Sequence, residues 1–235
     1  MLIKILCTLF MTKIYTAMNI DKQLTYLKDT ISKNENVVLC SLELLNVIEE
    51  CKNKYPTKIM CDEEQMLDDV IENYYVNAIK DSTTEYTYNE NDIELLYKYH
   101  MSQLTDDKKK NAVMSVLKYF SRNLKGQKTN ALCVIGDIYY NMGTAESIKK
   151  SINYYRNAMY KGSSHASDVL YKIIFWYQYG NSEVGIKKNK KFAQKLYEGM
   201  YDDGTEDDDC SDSDLTDYDN DILDEGDCSD TDSDT

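Results

Sequence analysis

An all-α fold is predicted: an antiparallel helix-hairpin solenoid followed by a disordered acidic C-terminal tail. Three observations predict it. The 235 residues include 1 Pro and 9 Gly, too few turn formers for the many tight turns of an all-β domain. Apolar residues recur at spacings of three and four through most of the chain before residue 202, which is the helical period. Glycines at 126, 162 and 204 each follow a predicted helix end, where the chain needs a left-handed residue to turn back.

Residues 1–17, MLIKILCTLFMTKIYTA, form a weakly signal-like lead-in, with Lys4 before an apolar run from Ile5 to Met11. Lys13 follows that run, and Tyr15 stands where a small residue is wanted before a cut after Ala17. Three readings stay open: a cleaved secretory leader, a short amphipathic lead-in helix, or a true start at Met11 or Met18. No other stretch approaches the roughly 18 apolar residues a membrane span needs.

Residues 18–90 are read as an N-terminal helical region carrying a degenerate repeat. Ile20, Leu24, Leu27 and Ile31 mark a first helix after the cap-like Asn19. Val37 to Tyr55 is a second, apolar nearly all round and so expected to be buried on several sides before Pro56 ends it. Met66 to Ile79 is a third. Further helices are predicted around 91–104, 107–124, 130–142, 147–161, 166–179 and 189–202, mostly with the short connections that favour antiparallel neighbours.

The charge is unevenly placed. The net charge of -14 conceals a tail, residues 202–235, that holds 17 of the 41 acidic residues and none of the 27 basic ones. Residues 1–100 carry -7 and residues 101–201 carry +10. Within the tail only Leu215, Tyr218, Ile222 and Leu223 are large and apolar, too few to offset the entropy of ordering it. The tail is expected to solubilise the chain, or to bind a basic surface in cis or in trans as a regulatory element. Ser211, Thr216, Ser229 and Thr231 each have an acid three residues on and resemble acidophilic kinase sites of the casein-kinase-two type. Asp217, Asp219 and Asp221 imitate the start of a calcium loop, but Ile222 and Cys228 occupy the positions that need Gly and Glu.

No catalytic constellation is present, and no cofactor or metal is expected. The seven cysteines include no C-x-x-C pair, and His100 and His165 are far apart in sequence. Zinc patterns, phosphate loops and nucleophile elbows are all missing. Scattered thiols on apolar faces, as at Cys40 and Cys133, read as small buried hydrophobes in a reducing compartment.

The chain also echoes itself. Residues 73–78 read NYYVNA and residues 153–158 read NYYRNA. Gly126 to Gly162 is 36 residues and Gly162 to Gly204 is 42, the span of helix-turn-helix repeats. Residues 131–166 resemble a Sel-1-like repeat, the tetratricopeptide-like unit. The matching positions are Ala131, Ile135, Gly136, Tyr139, Gly143, Lys150, Tyr154, Tyr155, Ala158, Gly162 and Ala166. Ser151 stands where the pattern has Ala. A second, more degenerate unit spans residues 166–204, with Tyr171 in place of Gly, Met200 in place of Ala, and a longer linker, GNSEVGIKKNKKF. Residues 91–203 are therefore read as Sel-1-like repeats.

The resemblance implies a superhelical scaffold whose first helices line a concave groove for a peptide or a partner helix. On those helices it implies Asp137, Tyr140, Lys172, Phe175 and Trp176 as partner-binding residues, with Trp176 equally readable as terminal core. Gly136, Ala158 and Ala166 would let paired helices approach, and Tyr139, Tyr154 and Tyr155 would fill the space between hairpins. The expected function is a non-enzymatic protein–protein interaction scaffold or adaptor in the cytoplasm. Two alternatives stand beside it. One is nucleic-acid or histone-type binding through Lys108 to Lys110 and Lys187, Lys188, Lys190 and Lys191; the other is a secreted or luminal adaptor. The bias toward Lys, Asn, Ile, Tyr and Asp resembles proteins of AT-rich genomes, including large amoeba-infecting DNA viruses.

Overall fold

The computed structural model describes residues 20–33, 36–55, 60–80, 88–102, 104–124 and 126–201. The lead-in, Asn19, Pro56, Gly204 and the tail with its four candidate phosphorylation sites lie outside them. The regular elements described are all helical: α1 Ile20–Ser32, α2 Val37–Lys54, α3 Cys61–Val70, a π-helical turn Ile71–Val76 and α4 Asn77–Lys80. They continue with α5 Glu90–Met101, α6 Asp107–Asn123, α7 Lys128–Asn141, α8 Ala145–Tyr160, α9 Ser164–Tyr179 and α10 Lys190–Glu198. The chain divides into two compact units, residues 1–134 and 135–235, with the boundary inside α7.

In the first unit α2 packs against α1, α3 and α5, which accounts for its broad apolar surface. Leu44, Leu45, Ile48 and Cys51 are fully buried, while Leu39 is 40% exposed. The third helix starts earlier than its apolar periodicity shows. Asp62, Glu63 and Glu64 fill its first turn, where negative charge meets the positive end of the helix dipole. Asn89 and Asp92 form a capping box at the start of α5. That helix stops at Met101 rather than at residue 104, because Ser102 is extended and bonds back to Tyr99. Asp106 caps α6 by accepting from the Lys109 N–H at 2.8 Å.

In the second unit α9 packs against both α8 and α10. The passage from α8 to α9 is made by three residues, Lys161 to Ser163. Gly162, at φ 90°, bonds to the carbonyl of Met159 at 2.8 Å, and the Ser163 N–H reaches the Ala158 carbonyl at 3.0 Å. This is a Schellman closure, and it needs the left-handed residue that Gly supplies. Ser163 then caps α9 through the Ala166 N–H. The connector after α9 is more ordered than a plain linker: Asn181 and Ile186 exchange backbone hydrogen bonds at 2.8 Å each and bury Ile186. The Asn189 N–H donates to the Tyr177 carbonyl, and the Asn189 side chain caps α10. The last helix ends at Glu198, short of the predicted residue 202, and closes on turns at residues 199–201.

Candidate functional site

The features with functional geometry lie in the second unit and are built on α7, α8 and α9. Gly136 faces Tyr155 so closely that a Cβ there would stand 2.8 Å from the ring. The missing side chain lets α7 and α8 close over a fully buried tyrosine, as the small-residue positions predict. Ala158 and Ala166 are likewise fully buried. Tyr139 stacks on Tyr154 with centroids 5.6 Å apart.

Burial brings the Tyr155 hydroxyl to Asp137, to which it donates at 2.7 Å. The same carboxylate oxygen lies 2.9 Å from His165 Nε2. A carboxylate only accepts, so Nε2 carries a proton in this contact. The imidazole also meets the Tyr155 ring edge-on at 6.2 Å. Asp137 is thus a half-buried junction that orients a half-exposed histidine. Among the described residues no three metal-ligating side chains cluster here or elsewhere.

Next to this junction, Tyr140 stacks on Trp176 almost in parallel, at 5.3 Å and 14°. Burial raises the Tyr140 phenol above its ordinary value. Along α9, Tyr171, Phe175 and Tyr179 recur at intervals of four and are 42%, 59% and 60% exposed. Phe175 and Tyr179 touch at 4.6 Å. Lys172 is exposed beside them. Of the five residues expected to bind a partner, Phe175 and Lys172 are open to solvent, Tyr140 and Trp176 form a half-buried stack, and Asp137 is engaged internally.

A separate groove of about 960 Å³ is lined by α8, the connector and α10. Its wall includes Lys149, Arg156, Lys187 and Lys195, with Glu198 as the acidic lining residue. Tyr177 also lines it and is buried, and among the described residues its hydroxyl has no hydrogen-bond partner. Desolvation pushes that phenol up to about 12 and keeps it a neutral donor.

Sequence reasoning missed the Asp137–His165 contact, because 28 residues separate the two. It also missed the groove, although Lys149, Ile152 and Arg156 stand at one-face helical spacing. Of the lysines raised for phosphate binding, Lys109 is held by Asp68 at 2.6 Å, whereas Lys187, Lys188, Lys190 and Lys191 are exposed. Cys40 and Cys51 are buried, Cys133 is only half-buried and Cys61 is exposed. No helix among the described residues is long and apolar enough to cross a membrane. No family model, curated protein or solved structure matches the chain.

Proposed function

We propose that the chain is a non-enzymatic interaction scaffold of Sel-1-like, tetratricopeptide-like hairpins, and that its α7–α9 surface binds a peptide or a partner helix. The observation that carries this reading is the row Tyr171, Phe175 and Tyr179, half or more exposed in two of its three members and flanked by the Tyr140–Trp176 stack. Large aromatics cost free energy to leave in water, and a contiguous apolar strip marks an interaction surface more often than isolated exposed residues do. Aromatic anchors beside a lysine suit an amphipathic helix laid along the row, with apolar residues at intervals of three and four.

The test is selection of displayed peptides on the full chain, followed by titration of the enriched sequences. Phe175→Ala is expected to weaken binding by roughly tenfold or more, as removal of a central aromatic anchor does. Lys161→Ala, away from the row, is expected to leave it unchanged. Enriched peptides that bind the Phe175→Ala variant as tightly as the parent would refute the assignment.

A further inference from the structure

The groove between α8, the connector and α10 is lined by more cations than anions among the described residues. Lys149, Lys187 and Lys195 line it, and among the described residues none of the three has an ion-pair partner. Lys150, one position along α8, is by contrast held by Glu146 at 2.8 Å. Arg156 also lies in the wall, and among the described lining residues Glu198 is the acidic one. Ile152, Phe192 and Leu196 supply apolar wall between the charges.

Tyr201 is itself a lining residue, and the chain continues from it directly into Asp202 and Asp203. The following 34 residues hold 17 acids and no base, with Leu215 and Tyr218 set among them. We propose that this groove is the docking site for the chain's own acidic segment, residues 202–235. The segment starts at the rim, so its first carboxylates need no spanning linker. At about 3.3 to 3.6 Å per extended residue, Glu206 to Asp209 fall within roughly 15 to 30 Å of Tyr201. Such tethering gives a local concentration on the order of millimolar. The Tyr177 hydroxyl provides a buried donor on the same wall, and the apolar wall suits Leu215 and Tyr218. Docked, the segment excludes other acidic ligands from the groove, and added salt loosens it.

Carbodiimide coupling of the full chain, which joins a lysine amine to a carboxylate held against it, tests the contact directly. Mapping by mass spectrometry is expected to find intramolecular links from Lys149, Lys187 or Lys195 to carboxylates of residues 202–214. Their yield should fall by about fivefold or more between roughly 0.02 and 0.5 M salt as the Debye length shrinks. A full-length Lys149→Glu, Lys195→Glu variant is expected to lose the links at Lys187 as well, while a Lys161→Glu control keeps them. Links spread equally over Lys161 and Lys172 would overturn the proposal. Links formed only between two molecules would also overturn it and assign the groove to a second copy. Should the groove variant fail to fold, the map of the unmodified chain and its salt dependence decide the matter. These variants leave Phe175 and Trp176 untouched, so failure here is separable from failure of the scaffold reading.

Discussion

The two units use nearly the same hexapeptide, differing at Val76 and Arg156, in different ways. Tyr75 in NYYVNA and Tyr155 in NYYRNA are both fully buried, and each donates its hydroxyl to an aspartate, Asp92 at 2.9 Å and Asp137 at 2.7 Å. Around Tyr75 the pair is sealed. Asp92 is 2% exposed and also accepts the Asn89 N–H, while Phe120 and Tyr88 pack against the tyrosine ring. Burial raises Asp92 above its ordinary value despite these bonds, and raises the Tyr75 phenol with it. Around Tyr155 the aspartate is a quarter exposed on its side chain and is shared with a histidine that reaches solvent. The backbone differs too: residues 71–76 are π-helical and residues 153–158 are α-helical. One hexapeptide is thus part of a closed core, while the similar one leaves a polar junction at a surface.

The largest losses are expected at the two buried rings, and they should be alike. Tyr75→Ala and Tyr155→Ala each remove a fully buried ring, and each is expected to cost about 3 to 5 kcal/mol in urea unfolding. A loss below about 1 kcal/mol at Tyr155 would show that Gly136 does not clasp it.

Acid should distinguish the units more sharply. Burial holds His100 at about 4, below the ordinary 6.5, with Lys110 adding to the effect. The unfolded chain therefore takes up this proton first as the pH falls. The contribution is complete above pH 6.5 and is lost between 6.5 and 4, by about 3 kcal/mol at most. Asp92, raised by burial, acts in the opposite sense. The His100→Gln variant isolates the histidine: followed by urea unfolding across this range it should lack this slope, so that its stability relative to the parent rises as the pH falls from 6.5 to 4. A parallel loss in both proteins would remove His100 as the cause.

Gly136→Ala should cost about 1 to 3 kcal/mol by forcing the Tyr155 ring aside, and less in a Tyr155→Leu background. An additive double-mutant cycle would break the link between the two residues.

Phenylalanine at the two tyrosines gives the finest comparison. Tyr75→Phe strips a donor from a buried carboxylate and should cost about 2 kcal/mol, whereas Tyr155→Phe leaves Asp137 with His165 and should cost about 1. Equal losses would mean the two junctions are energetically alike. His165→Ala, at a half-exposed contact, should change stability by less than about 1 kcal/mol.

The helices were legible because their signals are local. Leu24, Leu27 and Ile31 are buried at the spacing that announced them, and Gly162 takes φ 90° directly after the helix it closes, whereas α6 already ends at the extended Leu124 and Gly126 takes φ 89° in the turn beyond it. The helix ends at Met101 and Glu198 were misjudged because apolar periodicity continues past the point where Ser102 and Gly199 begin a turn. The candidate partner residues were only partly legible. Phe175 is open, but nothing in the spacing of Asp137 reveals that Tyr155 and His165 both occupy its carboxylate.

What the amino-acid order alone determined is therefore the helical class, the turn positions and the alternation of charge along the chain, since periodicity, left-handed glycines and ionised side chains are properties of short stretches. Only the packing of helices decided that Tyr140 meets Trp176, that Lys149, Lys187 and Lys195 share one wall, and that one tyrosine–aspartate pair is sealed and the other open. Those contacts join residues 8 to 46 positions apart, and their distances depend on how closely neighbouring helices approach, which no local stretch encodes.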